Sequence, residues 1–314
     1  MLSCILNLFN CDYNKKECKR SVSASTSQID ENQFTSLFVS PHYEQKKYGI
    51  IIGVNYNKSI IYNLQSIDND IDNIYQLLLN NNFIKEDINI LKNPTKNEIF
   101  DLFQKIISIV NINDYVFFYF SGHGLEDGLI IDLYEEDNET VIEENNLLFN
   151  FEIRNYLIDK LPKNVFLFGL IDSCDSENNF NLQYYYLNNK WEKNNKYSNL
   201  SACTPKLSSF DTQTNRNASE YVMLFSGAQA KENSCNVVII SAYMKNQVTY
   251  TKYINKKYES FFTNIFCDII SNNIGISWHD LIFRIKLTSI LYNYKQTPIF
   301  SSSDMLNIND SIYL

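Results

Sequence analysis

Short apolar runs alternate along the chain with stretches whose apolar residues recur every three or four positions. Ile50-Ile-Ile-Gly-Val-Asn55, Ile88 to Leu91, Val116-Phe-Phe-Tyr-Phe120 and Val165-Phe-Leu-Phe-Gly-Leu-Ile171 have the continuous, β-branched or aromatic character of strands buried on both faces. Between them, Asp68 to Asn81 places Ile71, Ile74, Tyr75, Leu78 and Leu79 at helical spacing. After Pro94, a second helix carries Ile99, Leu102, Phe103, Ile106 and Val110 on one face. Thr95-Lys-Asn-Glu98 opens it as a capping box, in which the Thr hydroxyl accepts from the helix start and the Glu reaches back. The acidic stretch Glu126 to Asn146 predicts a hairpin, and Glu152 to Lys160 a further helix. Tyr221-Val-Met-Leu-Phe225 and Pro298 to Ser301 predict two more strands, with amphipathic helices over Tyr258 to Ser271 and Ser277 to Tyr294 between them. Strands alternating with helices define an α/β chain with a mostly parallel sheet covered on both faces. In such sheets the site lies at the carboxyl ends of the strands.

The same pattern divides the chain. Residues 1–46 read as a flexible leader, polar from Asp12 on and with a Ser/Thr run at Ser21 to Ser27. Residues 47–187 form a large lobe and 218–314 a small one. The intervening residues 188–217, rich in Asn, Ser, Lys and Thr, form an inter-lobe loop.

Composition then removes whole classes. The net charge is -9, and no Lys/Arg cluster is long enough to make a nucleic-acid face. The seven cysteines are odd in number and irregularly spaced, without a C-x-x-C pair, so neither a zinc site nor a disulfide framework is expected. A reducing, cytoplasmic compartment fits them better. Met1 to Asn10 is apolar but too short to span a bilayer, and it lacks the basic flank and small-residue site of a signal peptide. A monomer without a membrane span is expected.

Two strand ends carry candidate chemistry. Cys174 follows the strand Val165–Ile171 and two small polar residues, where a turn would hold a thiolate nucleophile at a cleft. A buried, inert Cys is the competing reading of that motif alone. His123 follows the strand Val116–Phe120 and sits between Gly122 and Gly124. A core His is seldom flanked by two glycines, and Gly124 would let its own N–H approach a ligand closely. His42 lies in the leader and His279 in the first turn of a helix, positions suited to solvent or capping. A Cys and a His at the ends of separate parallel strands make a nucleophile–base constellation.

Phe118-Tyr-Phe-Ser-Gly-His-Gly124 and Ile171-Asp-Ser-Cys174 resemble the two catalytic signatures of type I metacaspases, within the caspase-fold cysteine peptidases. The resemblance runs in order from Lys47 to about Ser303. It includes Ile51-Ile-Gly-Val-Asn-Tyr56, Leu64-Gln-Ser-Ile-Asp-Asn-Asp70, Pro94-Thr-Lys-Asn-Glu-Ile99, Leu161-Pro162, Val222-Met-Leu-Phe-Ser-Gly227 and Gln296-Thr-Pro-Ile-Phe-Ser301. It implies a three-layer αβα caspase-like sandwich with a mostly parallel central sheet. It implies a Cys-His dyad, with His123 as base and acid, Cys174 as nucleophile, and an oxyanion hole from the N–H groups of Gly124 and Cys174. It places Asp70, Ser121 and Asp172 in the primary specificity pocket, where two carboxylates suit Arg or Lys of a basic protein or peptide substrate. The caspase signature Q-A-C-x-G is absent, so aspartate specificity is not expected. Without the resemblance, Asp70 reads as a solvated helix residue and Asp172 as a strand-end cap.

The departures are chemical. Asp175-Ser-Glu177 follows the thiol where the family has histidine-serine-glycine, and a carboxylate there disfavours the thiolate. Asn150, Phe151 and Asn181 stand where the family's calcium site uses aspartates. No metal or other cofactor is therefore expected. Ala230-Lys-Glu-Asn-Ser234 replaces the family's run after the small-lobe strand. The expected function is an endopeptidase cleaving after Arg or Lys through an acyl-enzyme. A caspase-fold pseudoenzyme that binds basic peptides or a partner protein is the alternative. A doubly wound nucleotide-binding domain is disfavoured by Gly53-Val-Asn-Tyr-Asn, which offers one glycine where a phosphate loop needs several.

Overall fold

In the computed structural model, residues 44–136, 139–174, 180, 182–187, 189–194, 235–242, 250–254, 256–294 and 297–314 are described. The described unit begins at Glu44, so residues 1–43 of the expected leader lie outside it, while Gln45 and Lys46 bond Asn113 and Asp114. Strands β1 (Lys47–Gly53), β2 (Ile88–Lys92), β3 (Tyr115–Ser121), β9 (Phe166–Asp172) and β12 (Asn236–Ser241) pair in parallel, in the order β2-β1-β3-β9-β12. Beyond β12 the sheet continues antiparallel through β15 (Ile299–Ser302), β10 (Tyr184–Leu187) and β11 (Lys190–Lys193), giving eight strands.

Period-2 alternation builds the two cores. On β3, Val116, Phe118 and Phe120 face one layer while Tyr115, Phe117 and Tyr119 face the other, all of them buried. Helices α2 (Lys96–Ile109) and α3 (Asn150–Tyr156) cover the first face. Helices α1 (Ile67–Asn80), α4 (Phe261–Asn272) and α5 (Trp278–Leu291) cover the second. The result is the expected αβα sandwich. The capping box of α2 is present: Glu98 N–H donates to Thr95 Oγ1 at 3.3 Å, and Thr95 N–H donates to Glu98 Oε2 at 2.8 Å.

Several elements differ from expectation. The strand beside β9 is β12, whereas Tyr221–Phe225 and the Val222–Gly227 match lie outside the described residues. Val237-Val-Ile-Ile240 is as apolar and β-branched as that segment, and only pairing with β9 separates the two. The inter-lobe segment starts as structure, because Lys190–Lys193 hydrogen-bonds back on β10 as strand β11. The expected helix over Glu152–Lys160 starts earlier as α3 and breaks at Leu157, with a 3₁₀ turn over Ile158–Lys160. The expected helix from Tyr258 begins at Phe261. Lys257–Ser260 is strand β14, a hairpin partner of β13 (Thr251–Ile254). The acidic stretch is not one hairpin: it contributes β5 (Gly128–Ile130), which pairs with β4 (Gly124–Leu125) on one side and β8 (Leu147–Phe149) on the other, and a separate hairpin β6 (Tyr134–Glu136)–β7 (Glu139–Val141).

Candidate active site

Register brings the two candidate strand ends together. Strands β3 and β9 are parallel neighbours with Ser121 opposite Asp172, and Gly122 N–H donates to the Asp172 carbonyl at 3.2 Å. His123 and Cys174 each lie two residues past that pair, on strands about 4.8 Å apart. Gly124 fits because it has no side chain: a Cβ there would fall 2.5 Å from the Cys174 carbonyl oxygen and 2.8 Å from Ser173 Oγ. Cys174 is partly buried, while Ser173 is fully buried with its hydroxyl unpartnered among the described residues. His123, Gly124 and Cys174 thus lie together just past the carboxyl ends of two adjacent central strands. The contact also makes a test. Gly124→Ala forces backbone against backbone, which costs about 1–3 kcal/mol, so a lowered melting temperature and loss of thiol reactivity are expected by calorimetry and alkylation.

His123 is held on three sides. Its Nε2 lies 2.9 Å from the Tyr62 carbonyl, which can only accept, so Nε2 carries the proton and Nδ1 keeps its lone pair. Its backbone N–H donates to Tyr56 Oη at 2.7 Å, and Tyr56 Oη donates to the Ile130 carbonyl at 2.6 Å. The Tyr56 ring lies 4.7 Å from the imidazole and the Tyr62 ring meets it edge-on at 5.8 Å. Burial lowers the His123 pKa, and the Tyr62 carbonyl opposes that shift. The imidazole is therefore neutral near pH 7 and available as a base. Burial raises the Tyr56 hydroxyl far above the ordinary tyrosine range; the His123 N–H works against the rise and nearby Cys174 adds to it.

The three candidate pocket residues also converge. Asp70 on α1, Ser121 on β3 and Asp172 on β9 are all buried, the carboxylate residues at 0% and 2% exposure. Asp70 Oδ1 accepts from Ser260 N–H at 2.8 Å and its Oδ2 from the Ser260 hydroxyl at 2.5 Å. Asp172 Oδ2 accepts from the Thr263 hydroxyl at 2.7 Å and Thr263 N–H at 3.2 Å. Both carboxylates thus cap the start of α4, where the helix dipole favours negative charge. Burial pushes Asp70 up to about 7, with the Asp172 charge adding to the rise and bonds from Ser260 and Ser66 opposing it. Burial likewise pushes Asp172 up to about 6 against the Thr263 bonds. No Lys or Arg among the described residues forms an ion pair with either. Asp70 is not the solvated residue its helix position alone suggests, because the first turn of α1 faces the start of α4.

Two of the residues that the resemblance sets at the family's calcium positions, Asn150 and Phe151, are described. Asn150 N–H donates to the Asp127 carbonyl at 2.9 Å and its Nδ2 to the Glu126 carbonyl at 3.2 Å. Its buried Oδ1 has no partner among the described residues. Phe151 stacks on Phe149, ring centroids 5.3 Å apart. Asn181 lies outside the described residues, as do Asp175 to Glu177 and Ala230–Ser234. No helix among the described residues is long and apolar enough to cross a membrane.

A mostly parallel sheet between two helical layers, with His123 and Cys174 following the carboxyl ends of adjacent central strands, fits the class of caspase-like cysteine peptidases. Residues 46–307 match the caspase domain family, and the chain belongs to it. It is similar to Metacaspase-1 of Lodderomyces elongisporus, 22% identical over 304 residues that cover 84% of this chain and 66% of that one. Metacaspase-1 of Schizosaccharomyces pombe is 25% identical over 305 residues, covering 86% and 70%. Metacaspase-1 of Candida albicans is 30% identical over 161 residues, covering 45% and 35%. The chain therefore spans about two-thirds of the first relative's length and about a third of the last. The crystal structure of protein GSU0716 from Geobacter sulfurreducens shares the fold, with a TM-score of 0.51, 13% identity, and coverage of 84% of this chain and 97% of that one. Family membership supports a cysteine peptidase acting on protein substrates.

Proposed function

We propose that the chain is an endopeptidase that cleaves after Arg or Lys, using His123 and Cys174. The observation that carries this is the shared register of the two residues, with Gly124 packed on the Cys174 backbone. In the proposed reaction Nδ1 of His123 takes the Cys174 proton and the thiolate attacks the scissile carbonyl carbon. The N–H groups of Gly124 and Cys174 face the oxyanion. The imidazolium then gives its proton to the leaving amine, leaving a thioester. His123 next deprotonates water, which attacks the thioester, and the thiol is restored as the acid product leaves. The buried carboxylates Asp70 and Asp172, without a cation of their own among the described residues, supply the demand for a guanidinium or ammonium. An arginyl chloromethyl ketone should add to Cys174, seen as a mass increment on its peptide. Absence of labelling beside labelling by plain iodoacetamide would sink the specificity.

One observation favours a second reading, a caspase-fold protein that binds without cleaving. Ser260 and Thr263 already occupy the carboxylates, so an entering side chain must displace them. A folded protein that binds Arg-ending peptides by calorimetry and cuts none of a basic peptide library would favour it.

The calcium positions carry a further expectation. Turnover of an arginyl peptide should be equal in EGTA and in millimolar calcium, with no saturable binding isotherm, because Asn150 and Phe151 cannot replace aspartates. A strong calcium-dependent gain together with saturable binding would relocate the site.

A further inference from the structure

The acidic hairpin β6–β7 has no part in the dyad, yet one of its carboxylates reaches the loop that holds His123. That loop, residues 54–66 between β1 and α1, has no regular secondary structure of its own. Its tip is not secured by apolar packing, since Ile60 is 93% and Ile61 71% exposed. Polar contacts shape it instead. Ser59 is buried; its N–H donates to the Tyr56 carbonyl at 2.9 Å, and its Oγ accepts from Tyr62 N–H at 2.9 Å. The Ser59 hydroxyl donates to Glu135 Oε1 at 2.5 Å, and the same oxygen accepts from Ile61 N–H at 3.4 Å. Tyr62, fixed through Ser59, turns its carbonyl to His123 Nε2 at 2.9 Å.

We propose that Glu135 is a positioning residue for the active-site histidine, acting through Ser59 and the backbone of Tyr62. The proposal rests on the role given to His123 above. A carboxylate outside the dyad thereby selects the tautomer that leaves Nδ1 as the base. Of the loop's other ties to this region, Tyr56 Oη to the Ile130 carbonyl lies at the loop's start, and Lys58 to Asp132 at 3.1 Å has both side chains well exposed, a kind of pair that contributes little. Without Glu135 the Ser59 hydroxyl and the Ile61 N–H lose their shared acceptor, and the Tyr62 carbonyl is no longer pinned. A misplacement of about 1 Å at a reacting group can cost about 100-fold in rate.

The test compares Glu135→Ala, Glu135→Gln and Ser59→Ala in the full chain. Two quantities are read: kcat and KM on an arginyl peptide, and the pH profile of Cys174 alkylation by iodoacetamide, followed by mass spectrometry of the Cys174 peptide. Glu135→Ala is expected to lower kcat by about 100-fold at unchanged KM and to move the alkylation midpoint to higher pH. Glu135→Gln keeps an oxygen that accepts from Ser59 and Ile61, and should restore most of both. Ser59→Ala should move the midpoint the same way, and it serves if Glu135→Ala does not fold. An unmoved alkylation profile in the alanine variants overturns the proposal, even if kcat falls along with the melting temperature. Alkylation needs no peptide, so a chain that cuts nothing yet shows the shifted profile upholds the positioning role while the peptidase reading alone fails.

Discussion

Cys174→Ala is expected to abolish cleavage of an arginyl fluorogenic peptide, a fall of about 10⁴-fold or more, with the melting temperature nearly unchanged. The reasoning separates chemistry from packing. The Cys174 side chain is partly buried past the end of β9, and its truncation removes a single sulfur atom, so stability should shift by no more than about 1 kcal/mol. It also removes the only atom that can form the thioester. His123→Ala should give nearly the same loss of turnover with a larger loss of stability, because the imidazole bonds the Tyr62 carbonyl and packs against Tyr56 and Tyr62. The two losses should not add, since each residue is useless without the other. Turnover that survives Cys174→Ala in protein free of contaminating protease would remove Cys174 from the mechanism.

What the sequence makes legible follows from where the information lies. Strands β3 and β9 are continuous apolar runs because both of their faces are buried, and the polar residues after them mark the sheet edge. The start of α2 is written in side chains that satisfy their own backbone. The neighbour of β9 is not legible in this way. Val237–Ile240 and Tyr221–Phe225 are equivalent by local composition, and pairing is a long-range property. The site divides likewise. His123, Gly124 and Cys174 announce themselves by type and place. The Tyr62 carbonyl does not, because every residue has one. Ser260 and Thr263 stand some 190 and 90 positions from the aspartates they bond, and no spacing rule spans that distance. Glu135 sits in an acidic run of the kind that is usually solvated.

Asp70→Asn and Asp172→Asn should stabilise the protein at pH 8 while cutting kcat/KM on Arg-ending peptides by about 100-fold. The stability arm follows from the raised pKa values. A carboxyl whose folded pKa exceeds its unfolded one holds its proton in the folded state while the unfolded chain is already ionised. Its contribution is fully present below the unfolded value near 3.8 and is lost as pH rises through about 6 for Asp172 and about 7 for Asp70. For Asp172 alone that distance corresponds to about 3 kcal/mol, and the two costs overlap because the groups interact. Asn is nearly the same shape. Its oxygen can accept from Thr263 or Ser260 as the carboxylate does, and it carries no charge to bury. Each variant should therefore melt a few degrees above the unmutated chain at pH 8 and close to it at pH 4, a difference calorimetry resolves. The activity arm has the opposite sign. A guanidinium prefers both carboxylates ionised, so kcat/KM of the unmutated chain should rise between about pH 5.5 and 7.5, and the rise should flatten in either variant. In the proposed specificity, a substrate guanidinium would add its charge to the bonds that Ser260 and Thr263 already donate. Variants that cleave Arg peptides as well as the unmutated chain would show that the aspartates only cap α4. Variants no more stable at pH 8 would show that their burial carries no electrostatic cost.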